Sequence, residues 1–536
     1  MNLTTNFATS FASNFAINPA IIKALVMNEV RLRMRRTSTL VALLAVMAIS
    51  WAMIADPANG SALIVVDSTR VLYTSSTLAV GSASLGCIMF GLGAFYLVRG
   101  RVGEDIRSGT GSVIGATSVG NVTFLLGRWA GNVAYLCAMV LAFMSTIMLL
   151  HAVRGDGPIE PLVYLEVYLF MLLPLILFTA SCATLFDSWA PLMGKGGDVL
   201  YFILWAAQMG VVMPAVDSAG GAIPLVQVFD FNGLGASMLV TTQALHSTHV
   251  SLGGGDFKAA LAPITMTSDL WSAQLIAIRS VTGLLALLPL LLAVPLFHRF
   301  SPDKVKLSSS AKRRAPLAML NQWLKPLSRF ASPLFGLAAR LPGMPGQVMG
   351  DVALTFATSP VAMLALAGFA LAGTVAAGEV LPGVLLAAAM FWGVLVSDVS
   401  TRDYAAGTED MTGAVEGGVA RRYLRQFAAT LALALLFTGS VALRWSFEQP
   451  GRALALVIGV AALSALATCF GRCSRTARLF LGLFLFWAYV ALNGVKLPTL
   501  DIIGSAGAAN AGSMLLWAAG GAVALAAGYW WNRRSL

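Results

Sequence analysis

The sequence predicts an all-α polytopic membrane protein of about twelve transmembrane helices, arranged as two parallel six-helix repeats. Three observations carry that prediction. First, the 536 residues are 58% hydrophobic and 11% charged, with a mean hydropathy of +0.79, whereas ordinary soluble domains carry roughly a quarter charged residues. Second, twelve apolar stretches reach or approach the ~20 residues that a bilayer core requires. Third, a polar loop occurs twice. Asp105-x-x-x-Gly109-Thr110-x-x-x-x-Gly115-Ala116 returns as Asp403-x-x-x-Gly407-Thr408-x-x-x-x-Gly413-Ala414, offset by 298 residues without a gap. Self-similarity of this kind marks a duplicated membrane unit.

The apolar stretches lie near 38–55, 73–98, 129–151, 162–186, 199–215, 280–298, 359–378, 380–397, 426–443, 453–470, 479–495 and 513–531. Ahead of the first, Ile21, Ile22, Leu25 and Val26 precede Arg31, Arg33, Arg35 and Arg36. This pattern suits a helix lying on the membrane surface. A cleavable leader would place its basic residues before its apolar run, the reverse of the order here. Residues 1–298 form the first half, with the repeated loop at 99–128 and the longest outward segment at 216–275. That segment is rich in Gly, Ser and Thr, and short helices capping the outer face are expected in it. Residues 299–341 are a basic, Pro-containing cytoplasmic linker. Residues 342–536 form the second half, with its loop at 398–425 and a second surface helix starting near Pro342. The start of each surface helix is echoed too: Asn28-Glu29-Val30-x-Leu32 matches Gly350-Asp351-Val352-x-Leu354, offset by 322.

Charge sets the orientation. With both termini cytoplasmic, 28 of the 35 Lys and Arg fall on inward segments, and cytoplasmic loops are the ones enriched in Lys and Arg. Only Arg70, Arg154, Lys258, Arg279, Arg444, Arg452 and Lys496 face outward. The formal charge of +11 therefore reflects topology and contact with anionic lipid, and nothing points to nucleic acid.

Little here supports catalysis. Cys87, Cys137, Cys182, Cys469 and Cys473 all lie in or at the inner edge of spans, so no disulfide framework is legible. Cys469-x-x-x-Cys473 has no second ligand pair. Gly194-Lys195 lacks the upstream Gly and downstream hydroxyl of a phosphate loop. His246-x-x-His249 with Asp256 has spacing that could place two imidazoles on one helix face, but the local sequence reads as a polar loop. No catalytic, cofactor-binding or metal site is expected. No Asp, Glu, Lys or Arg stands in the middle of a span; Glu166 and Arg279 sit within about a turn of the outer boundary. That disfavours an ion-coupled carrier, which usually needs intramembrane carboxylates.

The repeated loops are then the functional candidates. Each is polar, stays inward and leads into a long span that carries Arg128 in one half and Arg421, Arg422 and Arg425 in the other. Thr110 and Thr408 are expected N-caps of short helices, with Gly109 and Gly407 permitting the sharp turn before them.

On these residues each half resembles the six-span permease unit of ABC-2-type transporters. The resemblance rests on an acidic residue in a surface helix (Glu29, Asp351) and on the loop Glu104-Asp105-x-x-x-Gly109-Thr110. Ala116-Thr117-Ser118 and Gly127-Arg128 follow that loop. The second half keeps Arg402-Asp403, Gly407-Thr408 and Arg425, but has Gly413-Ala414-Val415-Glu416 in place of the Thr-Ser pair. The resemblance implies a fused pseudo-dimer in the plasma (bacterial inner) membrane. Two separately encoded cytoplasmic ABC ATPase subunits, carrying ATP and Mg, would dock on Glu29, Asp105, Gly109, Thr110, Arg128, Asp351, Asp403, Gly407, Thr408 and Arg425. It implies export of a substrate the sequence does not name. A membrane anchor for an ABC ATPase in envelope assembly is the alternative.

Overall fold

In the computed structural model the chain divides into two compact units, Met1–Ala311 and Lys312–Leu536. The structure describes residues 18–35, 37–218, 223–247, 249–298, 300, 323–414, 417–494 and 496–534. Linker residues 301–322 and Val415-Glu416 of the second loop lie outside these. Most of the described residues are helical.

Among the described residues, every predicted apolar stretch falls mainly on helix. In the first unit, α1 (Pro19–Met34) and α2 (Thr37–Met53) precede a short hairpin of β1 (Ser61–Val66) and β2 (Thr69–Arg70). Then follow α3 (Ser75–Val98), the loop helices α4 (Arg101–Arg107) and α5 (Thr110–Ala116), α6 (Asn121–Arg154), α7 (Pro161–Ser188) and α8 (Lys195–Ser218). The unit continues through α9 (Leu234–Leu245), β3 (Val250–Asp256), α10 (Ala273–Leu285) and α11 (Leu288–Leu296). The second unit has α12 (Ser332–Arg340), α13 (Gly343–Thr358), α14 (Val361–Val375), α15 (Leu381–Val396), and the loop helices α16 (Arg402–Ala405) and α17 (Glu409–Gly413). It ends with α18 (Gly418–Glu448), α19 (Pro450–Ser474), α20 (Arg478–Leu492) and α21 (Ala511–Arg534). Eight helical segments are long and apolar enough to cross a membrane, or up to ten if each of two bent pairs, α1–α2 and α13–α14, is one span. The α13–α14 pair turns by 103°. Pro360 supplies no N–H and pushes Ser359 out of helical geometry, so the helix ends there.

Glycines set the closest helix contacts. α1 lies across α6 at Gly127 and Gly131, where a Cβ would fall 2.7 Å from Leu25 and 2.8 Å from Glu29. The small-x-x-x-small spacing lets the two backbones approach and seats Glu29 beside Arg128. Asn18 caps α1, accepting from the backbone of Ala20 (3.1 Å) and Ile21 (3.3 Å).

A small sheet is an addition to the helical plan. β1 is central and pairs antiparallel with β2 and β3 in the order β2-β1-β3, with a bulge between Ala62 and Ile64. It stands at the end of the unit away from the repeated loop, because α3 leaves the sheet and arrives at α4. Residues 216–275 thus hold α9, as expected for a short capping helix, and also an edge strand.

At that same end, Arg279 of α10 is wholly buried. It donates to the carbonyls of Phe170 (2.8 Å), Met171 (3.2 Å) and Asp230 (2.6 Å), and pairs with the Asp230 carboxylate at 3.6 Å. Asp230 in turn accepts from Gln227 Nε2 and from the backbone N–H of Gly233 and Ala236. Burial pushes the Asp230 carboxyl up, while Arg279 and these donors pull it back. The second unit folds its loop between α20 and α21 in a similar manner. The Asp501 carboxylate accepts from the backbone N–H of Ala506, Ala508 and Ala509, and Arg452 donates to the carbonyls of Gly504 (2.9 Å) and Ser505 (2.7 Å).

Candidate functional site

The sequence-selected residues converge in each unit. In the first, Arg128 stands about two turns into the long helix α6, which starts at Asn121, beside Gly127. Its guanidinium bridges two carboxylates, pairing with Glu29 of α1 at 3.3 Å and with Asp105 of α4 by a short contact. In the second, Arg425 of α18 pairs with Asp351 of α13 at 2.9 Å and with Asp403 of α16 at 3.7 Å. α1 in one unit and α13 in the other are therefore each joined to the repeated loop by an acid–arginine–acid bridge. The arginine offset is 297, from Arg128 to Arg425, so one residue is dropped between the loop and the bridge. Gln426, which the unbroken offset of 298 would have placed there, donates to Asp403 Oδ2 at 3.3 Å.

Around each bridge the surroundings differ. Glu29 is 2% exposed and pairs with Arg33 (3.0 Å) and Arg101 (3.1 Å) as well as Arg128. Arg33 also donates to Asn132 Oδ1 at 2.7 Å and lies 4.7 Å from the Tyr135 ring centroid. In the second unit the site is more open, and Arg402 adds a bond to Thr355 Oγ1 of the surface helix at 2.8 Å. Arg33 was legible, standing four residues after Glu29 on one helix face. Asn132 and Arg101 come from other elements and carried no local signal.

The glycine reading and the threonine reading fare differently. Gly109 and Gly407 have φ of +74° and +68°, the left-handed region that side chains disfavour. Thr110 is not an N-cap: Gly109 holds that position and α5 has no side-chain cap. Thr408 does occupy the N-cap of α17, yet its hydroxyl makes no capping bond. Each hydroxyl instead donates backward, Thr110 Oγ1 to the Asp105 carbonyl and Thr408 Oγ1 to the Asp403 carbonyl, both at 3.4 Å. The left-handed glycine turns the chain so that threonine closes the loop onto its own acidic residue. Thr110 Oγ1 also reaches Asp105 Oδ1 at 3.4 Å.

Beyond the bridge, among the described residues, each loop presents one large apolar side chain to its surroundings. Val113 is 68% exposed and Met411 is 74% exposed, and they stand at equivalent positions, offset by 298. The charges flanking them differ. Arg107 is exposed in the first loop where the second has Ala405, and Asp410 is exposed in the second where the first has Ser112.

His246 and His249 do not share a helix face, because α9 ends with His246 in the left-handed conformation (φ 49°). Comparison with protein-family models, curated proteins and solved structures gives no match to this chain.

Proposed function

We propose that this chain is the permease of an ABC-2-type transporter, two six-span units fused in one polypeptide and acting as an exporter. Both termini and both repeated loops face the cytoplasm of the cell that holds it in its inner membrane. Separately encoded ATPase subunits dock on the loops, and their closure on ATP pulls on α5 and α17. The observation that supports this most is the acid–arginine–acid bridge, made twice. A hairpin that merely reverses the chain has no need to be bonded to a surface helix. A loop that must transmit a pull does, since ion pairs with charge-assisted hydrogen bonds fix direction as well as distance.

Ion-coupled transport is disfavoured by the same reasoning. The Asp230 carboxylate, the most buried acid near a span, is already occupied by Arg279, Gln227 and two backbone N–H groups.

The test is co-purification of this chain from its native membrane with an ABC ATPase. Mass measurement of the detergent-solubilised complex is expected to give one permease to two ATPase subunits, with Val113→Asp and Met411→Asp together abolishing association. A two-to-two assembly would overturn the pseudo-dimer. Unchanged association in the double variant would return the loops to ordinary hairpins. Substrate-stimulated ATP hydrolysis in liposomes then separates a transporter from an anchor.

A further inference from the structure

The short helices of the two loops are fastened by different chemistry. At the repeat offset of 298, Gly111 of the first loop corresponds to Glu409 of the second. Gly111 is covered by a ring: a Cβ there would lie 2.5 Å from Phe300. Phe300 belongs to a buried apolar cluster with Phe297, Phe124, Leu125 and Val102, against which Ile106 and Ile114 of the loop pack. Ring centroids lie 5.5 Å apart for Phe124–Phe297, 5.5 Å for Phe297–Phe300 and 6.0 Å for Phe124–Phe300. Phe297 and Phe300 directly follow α11, the last described helix of that unit. The first loop is thus held to the end of α11, the last described helix of its unit, by apolar contact.

In the second unit the Glu409 carboxylate pairs with Arg472, at the end of α19, and with Arg422 of α18 at 3.5 Å. Arg422 also donates to the Glu409 carbonyl (2.6 Å) and to Thr412 Oγ1 (3.1 Å). Arg472 donates through Nε to Asn532 Oδ1, and Asn532 donates to the Val419 carbonyl at 2.6 Å. Asn532 lies near the end of α21, the last helix of its unit. Arg422 falls opposite Phe124 or Leu125, on either side of the one-residue slip, and both are members of the apolar cluster. One mechanical link, from loop helix to the last described helix, is built from rings in one unit and from charges in the other.

We infer that Glu409, Arg472 and Asn532 form an ionic latch that sets the position of the second loop, while an apolar latch around Phe300 sets the first, so that the two loops release independently. The ionic latch is directional and fails when either partner is removed, because the remaining charge is left unpaired in a largely buried place. Apolar contact is non-directional and yields in proportion to the area lost. This holds whether or not a protein docks on the loops.

Hydrogen exchange on the full chain in lipid nanodiscs, with no partner protein, tests the inference. Glu409→Gln is expected to speed exchange across 403–414 by about tenfold, the scale of one hydrogen bond to a charged group, and to leave 105–117 unchanged. Arg472→Met is expected to do the same. Combined, the two substitutions should add little beyond either alone, since they break one link. Phe300→Ala should loosen 105–117 and leave 403–414 as it was. If that variant does not fold, Gly111→Ala presses on the same ring and is read in the same way. Wild-type exchange in Glu409→Gln, or loosening of both loops by either substitution, would overturn the independent latches. Because no ATPase is present, this failure is separate from failure of the docking proposal.

Discussion

Arg279 donates through Nε to the carbonyl of Phe170 at 2.8 Å, and Phe170 stands four residues before Pro174. Proline has no N–H to give to the carbonyl four residues back, so α7 leaves that oxygen unpaired and a side chain from α10 supplies the missing donor. Arg279→Leu removes this donor and also leaves Asp230 buried without its cation. A loss of about 3–5 kcal/mol is expected, the range for breaking one side of a buried pair. Pro174→Ala restores the helical donor and should recover roughly 1 kcal/mol of that loss, one net hydrogen bond. Unfolding midpoints of the purified variants decide it. A stable Arg279→Leu protein would show that the pair is dispensable, and no relief from Pro174→Ala would break the proposed division of labour.

The seat of the first surface helix makes a second prediction. Gly127→Ala and Gly131→Ala each put a methyl where Leu25 or Glu29 now stands. Overpacking of this kind costs typically about 1–3 kcal/mol, and here it moves Glu29 away from Arg128. Faster hydrogen exchange over 19–34 is the expected readout. The corresponding positions of the second unit, at the arginine offset of 297, are Leu424 and Ala428. Trimming those to glycine should leave exchange over 343–358 unaltered. Equal sensitivity of the two units would mean that the glycines do not set the approach.

Much of this was legible because the repeat is local. Asp105, Gly109 and Thr110 sit within six residues and recur at a fixed offset, so matching the strings located both loops. Glu29 and Asp351 could be singled out because they precede their spans at equivalent points, but their pairing with Arg128 and Arg425 carried no signal in the sequence. What was missed depends on contacts across the fold. Arg472 and Asn532 are 60 residues apart, and no periodicity links a polar residue on one span to a polar residue on another. β1 reads Ser-Ala-Leu-Ile-Val-Val, a strand-like run, but in so apolar a chain it does not stand out. β3 is Val-Ser-Leu-Gly-Gly-Gly-Asp, whose glycines argue against a strand. The depth of Arg279 was underestimated because α10 starts at Ala273, seven residues before the hydropathy rise. The threonine caps were misread because a left-handed glycine does the turning and leaves the hydroxyl pointing backward.

Gly109 and Gly407 allow a clean measurement of backbone cost. A Cβ at either position meets no heavy atom within 4 Å, so a substitution is penalised by its dihedral angles alone. Valine at either site is expected to cost at least about 1–2 kcal/mol, the penalty for an L-residue in left-handed geometry. Gly109→Asn and Gly407→Asn should cost clearly less, because asparagine tolerates that conformation. The same ordering is expected in both loops, read as exchange over 105–117 and 403–414. Valine and asparagine behaving alike would mean that the turn relaxes out of positive φ when glycine is replaced.

The number of crossings can be argued from contacts within each unit. β1 and β3 are hydrogen-bonded neighbours, so an even number of crossings must separate them. If the candidate spans α3, α6 and α7 each cross, α8 is expected to be the fourth. Glu29 meets the loop at the far end of α3 from β1, so α2 is expected to cover the same distance. In the second unit Asp351 and Asp403 share Arg425, so α14 must cross if α15 does. Arg452 holds Gly504 and Ser505, so α20 must cross if α19 does. By length α20 is weak, since 15 residues rise only about 22 Å against a core of ~30 Å. On parity twelve crossings are the expectation to be tested, whereas length and hydropathy give eight to ten. Single cysteines at 110, 251 and 408 in a cysteine-free background test it in intact cells. Position 251 is expected to react with an impermeant maleimide from outside, and positions 110 and 408 only after permeabilisation. With α8 left out, 110 and 251 would label from one side. With α2 and α14 crossing but α8 and α20 left out, the ten-crossing count, 110 and 408 would label from opposite sides.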